Sequence, residues 1–178
     1  MTRTGGAVFI DWSLPVGFRL RTQRLELVPA EPNMVNAAGL EPSRLSELLD
    51  ARVPDSWPPE SVDSQGSSEG WWDWYALRRD DNGAVVIGVM GVKGWPLVSK
   101  SVQMGCTFLP EYQAQRYGTE AFGALSDWAL SQPDVEQVSA EVNVGNAAAI
   151  GVLKRLGFSQ LPNDQDGFLI FQRRRNQS

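Results

Sequence analysis

Met104-Gly105-Cys106-Thr107-Phe108-Leu109 followed by Pro110-Glu111-Tyr112-Gln113-Ala114-Gln115-Arg116-Tyr117-Gly118-Thr119 decides the fold of this 178-residue chain. The first run is apolar and reads as the end of a strand from Ser101 to Leu109, and the second is a polar turn. The turn feeds an amphipathic run, Glu120 to Leu130, in which Ala121, Phe122, Leu125, Trp128 and Ala129 recur at helical spacing. A strand entering a helix through such a turn aims several backbone N–H groups, and the positive end of the helix dipole, at one spot. That spot suits a phosphate.

Downstream, Val135 to Val142 is predicted as a strand. It leads through Asn143-Val144-Gly145-Asn146 into a helix over Ala147 to Leu156, which Gly157 stops. Gly167 to Gln172 reads as a last short strand pairing near Phe158, with Arg173-Arg174-Arg175 as a solvated basic tail. Upstream, Trp71 to Arg79 and Ala84 to Lys93 are predicted strands joined by the hairpin turn Asp80-Asp81-Asn82-Gly83. Arg24-Leu25-Glu26-Leu27-Val28-Pro29 alternates with period two, as a half-buried opening strand closed by Pro29. Between them lie two helical segments, Asn33 to Ala38 and Ser43 to Ala51, the second with a capped start at Ser43. Pro54, Pro58 and Pro59 forbid a helix, and Ser61 to Gly70 reads as a loop. Three antiparallel strands leading into a strand-helix-strand unit make an α+β sheet. Residues 1–18 lack periodicity and read as an extension, with Val8 to Trp12 open to reading as an extra strand; residues 19–178 form the domain.

Composition fits one soluble domain: 42% hydrophobic and 21% charged residues in a length that buries a core without staples. Cys106 stands alone, so no internal disulfide or zinc site is expected, which agrees with a reducing cytoplasm. With no histidine anywhere, the usual general base and metal ligand are missing. A net charge of −5 argues against nucleic acid as a partner. No apolar run reaches the roughly 20 residues of a membrane helix, and Met1 to Gly6 has no apolar signal core behind it.

Gln113-x-x-Arg116-x-Gly118 resembles the pyrophosphate loop of the GNAT acetyltransferases, usually Q/R-x-x-G-x-G/A. Asn146-Ala147-Ala148-Ala149 through Gly157-Phe158 is similar to their N-x-x-S-x-x-x-x-x-x-x-G-F helix. Leu20 to Leu27 resembles the opening strand of the RimJ/RimL-like branch, which holds the ribosomal-protein N-acetyltransferases. The resemblance implies a single-domain GNAT-like fold: a mixed, mostly antiparallel central sheet, splayed at a cofactor cleft and flanked by helices. It further implies acetyl-CoA as donor and an amine, a small molecule or a protein N-terminus, as acceptor.

Carried onto this chain, it places the pyrophosphate on backbone N–H groups from Gln115 to Thr119, within a loop of Gln113, Ala114, Gln115, Arg116, Tyr117, Gly118 and Thr119. The pantetheine arm falls to Thr107, Phe108 and Leu109 at the strand end and to Asn146, whose side chain is also a helix cap. Arg116 departs from the family's glycine and either reaches a phosphate or stays exposed. Gln103 stands where relatives often carry Glu and cannot take a proton, and Ala149 stands where they often carry Ser. The proton then falls to Glu141 through water, or to Tyr112, with Tyr75 and Cys106 weaker. A plain structural carboxylate is the other reading of Glu141, and a small buried hydrophobe that of Cys106. Trp57 and Gln103 are candidates on the acceptor side, Trp57 equally a core residue. No metal is expected, and a homodimer is open. The alternative function is a catalytically degenerate CoA-binding sensor or interaction module, which Gln103, Arg116 and Ala149 favour. A protein binding another nucleotide is the third, for which no lysine-bearing phosphate loop is present.

Overall fold

The computed structural model describes residues 14–15, 17–59, 71–94, 99–165 and 167–176, without the side chains of residues 71–72 and 163–165. The proposed strand at Val8 to Trp12, the start of the chain, the Ser61 to Gly70 loop and the turn at Trp95 lie outside them. The chain runs β1 (Leu20–Arg21), β2 (Leu25–Pro29), α1 (Pro32–Leu40), α2 (Pro42–Leu49), β3 (Trp71–Asp80), β4 (Gly83–Gly94) and β5 (Ser101–Phe108). There follow α3 (Tyr117–Ser131), β6 (Gln137–Asn143), α4 (Ala147–Arg155), β7 (Ser159–Gln165) and β8 (Phe168–Arg174). The strands form a single sheet in the order β1-β2-β3-β4-β5-β6-β8-β7. Every pairing is antiparallel except β5 with β6. This is the mixed, mostly antiparallel α+β sheet the sequence predicts.

Each face carries its own core. On one, Leu25, Leu27, Trp74, Ala76 and Met104 pack under α3 and α4 with Leu125, Ala129 and Leu153. On the other, Val28, Tyr75, Leu77 and Val86 pack under α1 and α2 with Met34, Leu45 and Leu49. β2 is therefore buried on both faces, not one. Leu14 and Phe18, from the stretch read as an extension, pack on the first core, with the Phe18 ring 6.2 Å from Trp74 and edge-on to it.

Three local differences have plain causes. α2 starts with Pro42 at its first turn and no side-chain cap, so Ser43 is inside the helix rather than capping it. β7 is a whole strand that polar Ser159 to Gln165 conceals, and Pro162 within it suits only a sheet edge. Arg173 and Arg174 belong to β8, and Arg175 is no free tail. Its guanidinium donates to the carbonyls of Leu130, Gln132 and Val135, closing the C-terminal end of α3.

Glu26 is 5% exposed and faces Arg79 at 2.8 Å, Arg19 at 3.1 Å and Arg21 at 3.2 Å. Burial pushes its carboxyl up, but the bonds from Arg79 and Arg19 outweigh this and hold it below its ordinary value of 4.5. A carboxyl held low stabilises the fold fully above its unfolded value and stops doing so as pH falls through the folded one. The urea midpoint of the wild type is therefore expected to drop from about pH 5 to about pH 3. In Glu26→Gln the midpoint starts lower and that drop is shallower. Parallel slopes would mean that the arginines do not hold the charge.

Candidate active-site cleft

β5 and β6 pair only through Ser101–Gln137, Val102–Val138 and Gln103–Ser139. Ser139 Oγ donates to the Val102 carbonyl (3.3 Å) at this junction. Beyond it the strands part, because β5 stays on β4 out to Phe108 while β6 follows β8. The gap is a cavity of about 240 Å³, lined on one side by Met104, Gly105 and Cys106 and on the other by Ala140 to Asn143. Gly118 and Phe122 of α3 and Asn146, Ala149, Val152 and Leu153 complete it.

Leu109 N–H donates to Ile87 C=O (2.9 Å), which sets the parity of the β4–β5 ladder. The backbone groups of Gln103, Gly105 and Thr107 turn toward β4, and those of Met104, Cys106 and Phe108 turn toward the gap. Thr107 and Leu109 therefore spend their N–H groups on β4, and those of Cys106 and Phe108 face the gap. The Phe108 carbonyl is taken by Gln113 Nε2 at 2.9 Å, leaving its N–H.

The loop after β5 is a short 3₁₀ turn, Pro110–Tyr112, then a backbone that twice enters the left-handed region, at Ala114 (φ 57°) and Arg116 (φ 66°). Arg116 is the N-cap of α3 and makes no side-chain bond to it, so the first-turn N–H groups are left for a ligand. The family's glycine at this position now has a reason, since left-handed backbone costs an ordinary residue about 1–2 kcal/mol. Glycine's greater freedom when unfolded takes back about 0.5–1 kcal/mol. Arg116→Gly is thus expected to raise stability by about 0.5–1 kcal/mol, or Tm by about 2–3 °C. A fall in Tm would show that the arginine side chain contributes more than its backbone costs.

Side chains fasten this loop rather than reach from it. Gln115 Nε2 donates to the Glu111 carbonyl (2.8 Å). Arg24, at the start of β2, donates through Nε to Glu120 Oε2 (2.7 Å) and through Nη1 to the Gln115 carbonyl (3.2 Å), with its guanidinium 4.3 Å from the Tyr117 ring centre. Glu120 Oε1 also accepts from Thr22 Oγ1 (2.6 Å) and Arg24 N–H (2.7 Å). Burial raises the Glu120 carboxyl, but these bonds outweigh it and hold it below its ordinary value. A carboxylate in the first turn of α3 would repel an anion there; this one is already neutralised. Nothing in the sequence pointed to Arg24 or Glu120, because the contact joins residues 96 apart.

The remaining site residues divide. Asn146 Oδ1 accepts from Ala149 N–H (3.0 Å) as a helix cap, and the residue also lines the cavity. Glu141 is exposed and lines the cavity from β6. Cys106 is not fully buried: where β6 splays away the residue is exposed. Protein atoms crowd the rest of the thiol and push it up to about 12, so it stays protonated. Tyr112 packs between the two cores, its ring 6.4 Å from Tyr117, and is not among the residues lining the cavity. Tyr75 is buried and donates its hydroxyl to the Met34 carbonyl (3.2 Å); burial, then the Asp73 charge, raise it, so it is no base. Trp57 is a core residue: its indole N–H donates to the Ala38 carbonyl (2.9 Å) and its ring lies 6.0 Å from Tyr75. Gln103 is half-buried where the cleft closes. Among the described residues no group of His, Cys, Asp or Glu is placed to hold a metal, and no helix is long and apolar enough to cross a membrane.

The family model of the acetyltransferase (GNAT) domain matches residues 35–159, well over half of the chain. The chain belongs to the GNAT acetyltransferases. It is similar to the uncharacterized N-acetyltransferase YjdG of Bacillus subtilis (strain 168), 23% identical over 150 residues that span 78% of this chain and 88% of that protein. Among solved structures it resembles RimL, a ribosomal L7/L12 alpha-N-protein acetyltransferase in complex with coenzyme A. The TM-score is 0.63 at 14% identity, over 88% of this chain and 98% of that one. The acetyltransferase from Agrobacterium tumefaciens str. C58 gives a TM-score of 0.55 at 19% identity, over 94% and 99%. At these identities the solved structures speak for the fold alone. In this chain the splayed strands and Gly118, in the first turn of α3, line one cavity.

Proposed function

We propose that this GNAT protein moves an acetyl group from acetyl-CoA directly to an amine, in the manner of the RimJ/RimL-like branch. The observation that carries the reading is the opening between β5 and β6, which ends beside the start of α3, where no side chain caps the first-turn N–H groups. Acetyl-CoA supplies the thioester and, in its pyrophosphate, a double negative charge. The N–H groups from Gln115 to Thr119 hold that charge with the dipole of α3 behind them. Arg116, exposed at the start of α3, adds its guanidinium from the rim. The pantetheine arm lies along β5, on Phe108 N–H and the Asn146 side chain, between Gly118 and the apolar wall of Ala149, Val152 and Leu153. Cys106 N–H points into the gap and hydrogen-bonds the thioester carbonyl, where negative charge develops during transfer.

The acceptor enters over Gly105. Glu141, on the opposite wall, takes the ammonium proton through water, and Gln103 contacts the acceptor where the cleft closes. Ala149 offers no hydroxyl to the leaving sulfur, so the thiolate leaves without a side-chain acid from α4. Positioning by a rigid cleft supplies much of the remaining barrier reduction.

Ala149 and Gln103 also motivate the second reading, a CoA-binding sensor. Incubation with acetyl-CoA and a panel of amines, following free thiol, separates the two. Thiol release above the amine-free rate is expected. Heat stabilisation by CoA with no release on any amine would favour the sensor.

A further inference from the structure

One cross-strand row on the face of the sheet that carries α1 and α2 ends in a carboxylate at either side. Asp73 on β3 pairs with Gly91 on β4, and Gly91 with Gly105 on β5. Two residues past the Gln103–Ser139 pair, the same register sets Glu141 across the gap from Gly105. Residues opposite one another share a face, so the row is a trough floored by two residues without side chains. A Cβ on Gly105 would meet nothing within 4 Å. Lys93 and Gln103 flank the trough on one side, Tyr75, Val89 and Thr107 on the other. Lys93 has an interaction of its own, and the Tyr75 hydroxyl is spent on Met34.

Asp73 differs from the other half-buried or buried carboxylates described above. Glu26 has three arginines, and Glu120 has Thr22 and Arg24. Asp73 is half-buried too, and among the described residues nothing hydrogen-bonds or ion-pairs with its carboxylate. Burial alone pushes it up. A half-buried carboxylate with no partner among the described residues is costly, and a cationic ligand supplies that partner.

We propose that Asp73 binds a second cationic group of the acceptor, so that the preferred substrate is a dication with its other amine beside Glu141. The assignment rests on the acetyl-transfer reading above. Distance decides that the cation at Asp73 is not the reacting amine. Neighbouring strands lie about 4.8 Å apart, so the Asp73 backbone is about 10 Å from Gly105, and the cleft opens beyond that. An ammonium on Asp73 sits far from the thioester, and a chain lying over Gly91 and Gly105 bridges the two.

The test is acetylation of α,ω-diamines of increasing length against monoamines of equal chain length, by wild type and Asp73→Asn. Wild type is expected to favour the diamine at least tenfold in kcat/KM, through KM, with an optimum in chain length. In Asp73→Asn that ratio falls to about one, and Asp73→Glu restores part of it; CoA affinity, measured alongside, confirms that the variants fold. Equal use of both amines by wild type, or a preference that survives Asp73→Asn, overturns the assignment and leaves acetyl transfer standing. No turnover of any amine, single or double, ends the transfer reading and the assignment with it.

Discussion

Glu141→Gln is expected to lower kcat about 100-fold, the lower end of what a positioned proton acceptor contributes, with little change in KM for acetyl-CoA. The reasoning runs through geometry. The neighbours of Glu141 on β6, Ala140 and Val142, are buried under α3 and α4, so Glu141 is exposed on the opposite face, the one that carries α1 and α2. There it stands across the gap from Gly105, where no side chain intervenes. Gln keeps size and hydrogen bonding and loses only proton affinity, so folding and CoA binding survive. Steady-state rates over a pH series check this: the loss should shrink as pH rises and more of the acceptor arrives neutral. A structural Glu141 would give a variant with near-normal kcat at every pH.

Arg24→Ala is expected to raise KM for acetyl-CoA about tenfold and to lower stability by about 2 kcal/mol. Arg24 joins the start of β2, the first turn of α3 and the Gln115 carbonyl in one contact set. Charge-assisted bonds contribute about 1.5–3 kcal/mol each and a cation over a ring about 0.5–1 kcal/mol. Arg24 is 39% exposed, so solvent screening cuts that sum to about 2 kcal/mol. The loop then loses the tether on Gln115, and Glu120 keeps a charge near the pyrophosphate with less to neutralise it. Both effects weaken anion binding. Arg24→Lys should recover little, because one ammonium cannot reach Glu120 and Gln115 while stacking on Tyr117. Acetyl-CoA titration and thermal melts of the three proteins decide it; an unchanged KM would mean that the loop holds its shape without Arg24.

What could be read from sequence was whatever local chemistry settles. Asp80 to Gly83 forms the expected hairpin with Gly83 at φ 113°, Gly157 ends α4 at φ 78°, and the apolar period of α3 marks its buried face. What could not be read depends on contacts distant in sequence. Trp57 looks like a groove residue until α1 supplies a carbonyl for its indole. Arg175 looks like a tail until the end of α3 supplies three. Parity turns the N–H groups of Cys106 and Phe108, and not those of Thr107 and Leu109, toward the gap, and the bond from Leu109 to Ile87 fixes that parity. Asp73 drew no notice because its meaning is a register across four strands, and no window of sequence contains it.

The most direct measurement is the backbone amide spectrum of the protein titrated with CoA and, separately, with pantetheine, which lacks the pyrophosphate. With CoA, the N–H signals of Gln115 to Thr119 should shift together with those of Cys106 and Phe108, while pantetheine should move only the latter pair. If CoA leaves Gln115 to Thr119 where they were, the loop before α3 does not hold the diphosphate, and the cleft between β5 and β6 is not the acetyl-CoA site.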